Sequence, residues 1–187
     1  MNLSTPARNK LLSVRELVIF AMLGTMMMLS DLLMEALPNI HMLGLFIAAF
    51  TLTYGIKALF PIYVYVFLLG LSGGFNLWWL PYLYIWTVLW GVVMLIPKRL
   101  PRPMLFVLIH AAVTLHGLAF GTLYAPVQAL VFGLDLKGML AWIAAGLTFD
   151  VIHAVGNFAF GFLIYPLTVL LEKLTYGKSR YAKQKRG

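Results

Sequence analysis

Apolar residues run along this chain in long blocks, interrupted only by Pro, Gly and occasional charged positions. Divided at those breaks, the blocks predict six helices, over 14–36, 40–56, 58–75, 79–97, 103–124 and 138–171. A membrane span takes about 20 apolar residues to cross about 30 Å of hydrocarbon. The second and third blocks are short, and Tyr54-Gly55-Ile56-Lys57 between them predicts a tight turn. The sixth is too long for one straight span. Pro166 lacks a backbone N–H, so it is expected to kink that helix or mark where it leaves the membrane. Ser13 followed by Glu16 fits a capping box that opens the first helix.

Charge then orients the threading. With the N-terminus in the cytoplasm, the cytoplasmic segments hold Arg8, Lys10, Arg15, Lys57, Lys98, Arg99, Arg102, Lys173, Lys178, Arg180, Lys183, Lys185 and Arg186. Lys137 alone lies outside. Cationic flanks resist translocation, so this bias sets orientation. The expected fold class is an all-α integral membrane protein, a six-transmembrane-helix bundle with cytoplasmic N- and C-termini. Residues 1–13 form a cytoplasmic N-terminal segment, 14–172 the membrane domain and 173–187 a basic cytoplasmic tail, expected to lack fixed structure from Lys178 onward. Hydrophobic residues make up 62% of the chain and charged residues 11%, with a mean hydropathy of +0.91, which separates it from soluble domains. The net charge of +8 is therefore a topology signal and an attraction to anionic lipid, with no nucleic-acid partner implied.

Absences narrow the chemistry. Cysteine is missing, which excludes disulfides, thiolate metal sites and Cys nucleophiles. No G-x-x-x-x-G-K-[ST] occurs, so the chain does not hydrolyse ATP by a P-loop. The first apolar block has no small-residue cleavage site and is expected to remain as a helix.

Polar residues at membrane depth are costly and mark cavities or partners. The first such region is Asp31 to His41. Asp31 and Glu35 share a face near the outer end of helix one, Pro38 ends it, and Asn39 suits the cap of the next. The region is either a capped turn with two hydrated carboxylates or a lid offering Asn39 and His41 to a ligand. The second runs from Ser72 to Trp86. An interfacial aromatic belt explains one or two of its rings, but Trp78, Trp79, Tyr82, Tyr84 and Trp86 fall close together. Tyr82, Trp86 and Trp90 recur at spacing four on one face. With Gly73, Gly74 and Asn76, they form a candidate pocket wall for a flat or bulky apolar ligand. The third is Asp150, His153 and Asn157, on one face of helix six. They are either an interhelical hydrogen-bond network or the floor of a cavity that reaches Asp150. His110 and His116 in helix five are six apart and share no tight face. No metal-binding spacing accompanies these histidines. Ala21, Gly24 and Thr25 add a small-residue patch on helix one, suited either to internal packing or to an external docking face.

Taken together, Ala21 to Thr25, Leu37 to His41, Gly74 to Trp86 and Phe149 to Phe158 resemble the substrate-binding S components of energy-coupling-factor vitamin transporters, over about residues 14–172. The likeness is nearest to the branch associated with cobalamin or related corrinoids. The resemblance implies a subunit of a prokaryotic cytoplasmic membrane that binds its vitamin from outside and is not itself an enzyme. It would join a transmembrane coupling protein and two cytoplasmic ATPases. Ala21, Gly24 and Thr25 would face the coupling protein, Thr25 standing where the family has Ala. The 31–41 loop would be a lid, Trp78 to Trp86 a wall, and Tyr124 and Gln128 a polar rim. The chain would hold no cofactor of its own, a cobalamin-like ligand being its substrate. Another vitamin or precursor is the alternative ligand. An autonomous proton-coupled carrier is the alternative class, although no repeat relates 14–97 to 103–172. Asp150 and His153 would be the acid–base pair of a membrane-embedded enzyme, but no nucleophile stands beside them in the sequence.

Overall fold

A computed structural model describes residues 12–181, which are helical with no strand among them. Helix α1 spans Val14–Leu33, α2 Leu43–Tyr54, α3 Leu59–Gly73, α4 Tyr82–Leu95, α5 Arg102–Leu118, α6 Phe120–Phe132, α7 Leu136–Gly161 and α8 Ile164–Tyr176. Five stretches are long and apolar enough to cross a membrane: Val14–Leu33, Leu43–Gly73, Leu77–Leu95, Arg102–Phe132 and Leu136–Gly161. That is the character of a multi-pass membrane protein.

Contacts fix the direction of each leg. The capping box forms as expected: Ser13 Oγ accepts from Glu16 N–H, and Glu16 reaches back to the Ser13 N–H. Glu16 also pairs with Lys57, and Asp31 accepts a hydrogen bond from Tyr65, so α1 and α3 run parallel. Between them the stretch Leu43–Gly73 reverses. Gly55 takes φ 60° and ψ −126°, a conformation open to a residue without Cβ, and a 3-10 turn follows over Gly55–Ala58. Tyr54 thus returns to pack on Phe20 at 5.1 Å, while Leu43 sits near Asp31. Helix α4 descends against α3, with Tyr63 OH donating to Leu83 O and Trp90 Nε1 to Gly55 O. Helices α5 and α6 rise against α7 and α8, linked by Asp150 with Gly121, Asn157 with Val113 and Phe106 with Tyr165. The chain therefore alternates direction leg by leg.

Several boundaries differ from the sequence expectation. The 40–56 helix is confined to Leu43–Tyr54, and its N-cap is Met42. Asn39 is not that cap; it occupies the turn at φ 59°. The 103–124 helix is a longer pair of helices broken at Ala119 and ending at Phe132. At 31 residues, Arg102–Phe132 is about 46 Å long and carries α6 past the level of Trp78. The 138–171 helix breaks at Phe162 and Leu163, four residues ahead of Pro166 at the outset. Pro166 cannot donate to Phe162 O and its ring crowds that carbonyl, so the break falls one turn earlier and Pro166 enters the first turn of α8.

Helix α2 forms the axis of the core, buried from Leu43 through Thr53. Thr51 and Thr53 satisfy their hydroxyls on the carbonyls of Ile47 and Ala49. The segment following α8 is ordered as far as it is described. Arg180 pairs with Glu172 and donates to Leu52 O, and Tyr181 is buried between Phe106 and Tyr165. The expectation of no fixed structure from Lys178 onward thus fails for 178–181; residues 182–187 lie outside the described region. So do Arg8 and Lys10. Arg15, Lys57, Lys98, Arg99, Arg102, Lys173, Lys178 and Arg180 gather at the end where α1 begins and α8 finishes, and Lys137 stands at the opposite end.

Candidate functional site

Near the end away from the cations, α1, α3, α4, α6 and α7 leave a cavity of about 140 Å³ above α2. The loop over 34–42 closes one side, because the Asn39 turn folds Asn39 and His41 toward the bundle. Asp31 and Tyr65 come from α1 and α3, held together by Tyr65 OH donating to Asp31 Oδ2 at 2.9 Å. Helix α4 contributes Tyr82 and Trp86, one turn apart, so their rings stand one above the other with centroids 6.1 Å apart. Phe120 and His153 complete the wall from α6 and α7. The break at Ala119 brings Phe120 against Trp86 at 5.6 Å and His153 at 4.9 Å.

Two imidazoles meet at this cavity, and a third packs behind Trp86. His41 lies 4.4 Å from His153 and 5.8 Å from Trp86, and His116 sits 5.8 Å from Trp86 on the other side. His116 Nε2 is anchored on Ile85 O at 3.0 Å. Yet His41 Nδ1, Trp86 Nε1, His116 Nδ1 and His153 Nε2 are all buried without a hydrogen-bond partner. Native interiors leave few such atoms, since each costs its desolvation. Three of them, on His41, Trp86 and His153, belong to residues that line the cavity, the mark of a site that hydrogen-bonds something from outside the chain. Burial pushes the His41 imidazole down to about 4, helped by repulsion from His116, so its ring is neutral at physiological pH. Among the described residues no three His, Asp or Glu side chains converge in a metal-binding arrangement.

The expected site residues divide. Asn39, His41, Tyr82 and Trp86 line the cavity. Trp79 does not: it lies over Gly70 with Nε1 donating to Val66 O, which ties the α3–α4 connection. Trp78 covers Gly73 and faces an open cleft beside the cavity. Asn76 is exposed in the turn after Gly74. Tyr124 donates to Trp78 O at 2.6 Å and stacks on Trp142, so it fastens the α6–α7 hairpin. Gln128 lies further along that hairpin, outside the cavity. Asp150 serves the helix break. Gly121 N–H, left without an intrahelical acceptor at the start of α6, donates to Asp150 Oδ1 at 2.9 Å. Asn157 donates to Val113 O and wedges between Gly44 and Gly117, as an interhelical tie. On the shared face of Asp150, His153 and Asn157, the outer two each make one tie and leave a second oxygen, Asp150 Oδ2 and Asn157 Oδ1, buried without a partner, while His153 between them lines the cavity.

On α1, Gly24 faces inward. A Cβ there would lie 2.5 Å from Val64 Cγ1 and 2.7 Å from Pro61 O, so Gly24 belongs to the α1–α3 contact and is not part of an external face. Ala21 and Thr25 are exposed, with Thr25 OH donating to Ala21 O. Sequence reasoning gives no role to Tyr65 or Phe120, and for Asp31 it offers a hydrated carboxylate in a capped turn or a place in a lid whose ligand contacts are Asn39 and His41. The only signal for Asp31 was a carboxylate at membrane depth. Compared with known proteins, the chain matches no family model, no curated protein and no solved structure.

Proposed function

We propose that this protein is the substrate-binding membrane subunit of an ATP-driven importer of the energy-coupling-factor type. It threads six spans through a prokaryotic cytoplasmic membrane with both ends inside. The cationic end faces the cytoplasm and the cavity opens outward beneath the 34–42 loop. The observation that carries this reading is a polar, aromatic-walled cavity whose lining holds three unpaired buried atoms, in a bundle whose sequence has no P-loop. Such a chain is equipped to hold a solute and not to drive its own transport.

The size of the cavity favours a small vitamin or precursor over a corrinoid. A dry cavity of about 150 Å³ accommodates benzene, and the one here is about 140 Å³. A corrin macrocycle with its amide arms exceeds it many-fold and would sit only on the rim. Exposed Ala21 and Thr25 remain the small-residue face for the coupling protein. Affinity purification of the tagged chain from its native membrane tests the reading. Two ATPases and one membrane coupling protein should accompany it in fixed proportion; a chain that purifies alone from gently solubilised membranes would refute it.

A further inference from the structure

We infer that the cavity is a seat for a one-ring organic cation that also carries a hydrogen-bond acceptor. The inference rests on the importer reading for its direction of transport, but the recognition chemistry stands on the site alone. Among the described residues, Asp31 is the one formally charged side chain in the cavity wall. No described Lys or Arg lines it, and the described cations lie at the far end of the bundle or, for Lys137, at the α6–α7 tip. An anionic solute would therefore meet a carboxylate and no counter-charge, whereas a cation meets a partner.

Asp31 also lines a second, open cleft of about 340 Å³ between α1 and α3, in which Glu35 and Ser72 join it. One carboxylate is thus common to an acidic outer cleft and to the enclosed cavity, which marks the route of approach. Oppositely charged clefts raise the local concentration of a cation and speed its capture. Inside, the faces and edges of Tyr65, Tyr82, Trp86 and Phe120 surround the space, and aromatic rings favour a cationic occupant.

The independent pointer to a ligand is the orphaned donor. Trp86 is 1% exposed, lines the cavity and has no acceptor for Nε1–H. Indole only donates, so the occupant must bring an acceptor. His153, 2% exposed with Nε2 unpaired, offers a second contact of either polarity. The volume limits the occupant to about one ring, by comparison with the benzene-sized cavity of similar volume.

Three probes with one skeleton separate charge from shape: 4-(aminomethyl)pyridine, 4-(hydroxymethyl)pyridine and isonicotinate. Each is titrated calorimetrically into the purified full chain at neutral pH. The ammonium probe should bind about tenfold or more tightly than the alcohol, and isonicotinate should not bind. Asp31→Asn keeps an acceptor for Tyr65; it should erase most of that preference and leave the alcohol within roughly threefold of its original affinity. Isonicotinate binding as tightly as the ammonium probe, an unchanged ammonium affinity in Asp31→Asn, or no binding by any of the three would overturn the inference. If the ammonium probe binds and no ATP-driven partner exists, the importer reading falls and the site assignment survives. Import of an anion through this cavity would do the reverse.

Discussion

Replacing His153 by Phe should make the ligand-free protein more stable while removing ligand binding. His153 is 2% exposed and its Nε2 has no partner, so the native chain carries an uncompensated desolvation cost at this position. Such a cost is about 1–3 kcal/mol. Phe keeps the edge-on packing against His41 at 4.4 Å and the tilted contact with Phe120 at 4.9 Å, and it has no polar atom to bury. Its ring is slightly larger, and the adjoining cavity of about 140 Å³ gives it room, so overpacking strain is small. The net gain should be about 1–2 kcal/mol, or roughly 2–8 °C in Tm for a chain of this size. The control is His116→Phe in the same cluster. There Nε2 bonds Ile85 O, so Phe loses about 1 kcal/mol of hydrogen bonding and the gain shrinks or reverses. Thermal unfolding in detergent, followed by intrinsic fluorescence without ligand, measures both. A lower Tm for His153→Phe with ligand affinity intact would refute the reasoning, because it would mean that His153 is a structural group with a satisfied ring.

Gly24→Leu should cost more than about 3 kcal/mol of stability, since a Cβ would already stand 2.7 Å from the Pro61 carbonyl; Ala21→Leu should change stability by less than about 0.5 kcal/mol yet weaken assembly with the proposed coupling protein. Equal Tm values for the two, compared alongside co-purification, would remove Gly24 from the α1–α3 contact. Asn157→Ala should lose about 0.6–2 kcal/mol through the broken bond to Val113 O while calorimetric ligand affinity stays unchanged. His41 makes stability pH-dependent. Its folded value of about 4 lies below the ordinary 6.5, so its contribution is full above about 6.5, falls as pH drops, and is lost by about 4. Acid titration of Tm should show up to about 3 kcal/mol of this loss in the wild type and a flatter profile in His41→Gln.

The helical class and most helix starts were legible because apolar periodicity and breakers are local signals. Ser13 and Glu16 lie in one turn, and their capping box formed as written in the sequence. The turn after Tyr54 was equally legible, since Gly55 supplies the φ that reverses the chain. The breaks at Ala119 and Phe162 were not. Ala119 has no breaker signature, and its break is supported from across the bundle by Asp150 on Gly121 N–H. Spacing four correctly grouped Tyr82 with Trp86, but it also enlisted Trp90, which bonds Gly55 O at the cationic end. Neighbouring Trp78 and Trp79 drew attention as a cluster, yet Gly73 and Gly70 receive their rings and turn them away from the cavity. The cavity itself joins residues as distant as Asp31 and His153. No local pattern encodes which of several polar helix positions converge after packing.

Transport by the reconstituted chain tests the central claim most directly. The solute released from the purified protein on denaturation is radiolabelled and offered to liposomes that contain the chain alone, or the chain with the ATPases and coupling protein of the proposed importer. The account predicts saturable binding but no accumulation by the chain alone, with or without a proton gradient. If the proposed importer exists, accumulation should need its full assembly and ATP, and should vanish with His153→Phe. Concentrative uptake by the isolated chain, driven by a proton gradient, would contradict the account and make the protein an autonomous carrier.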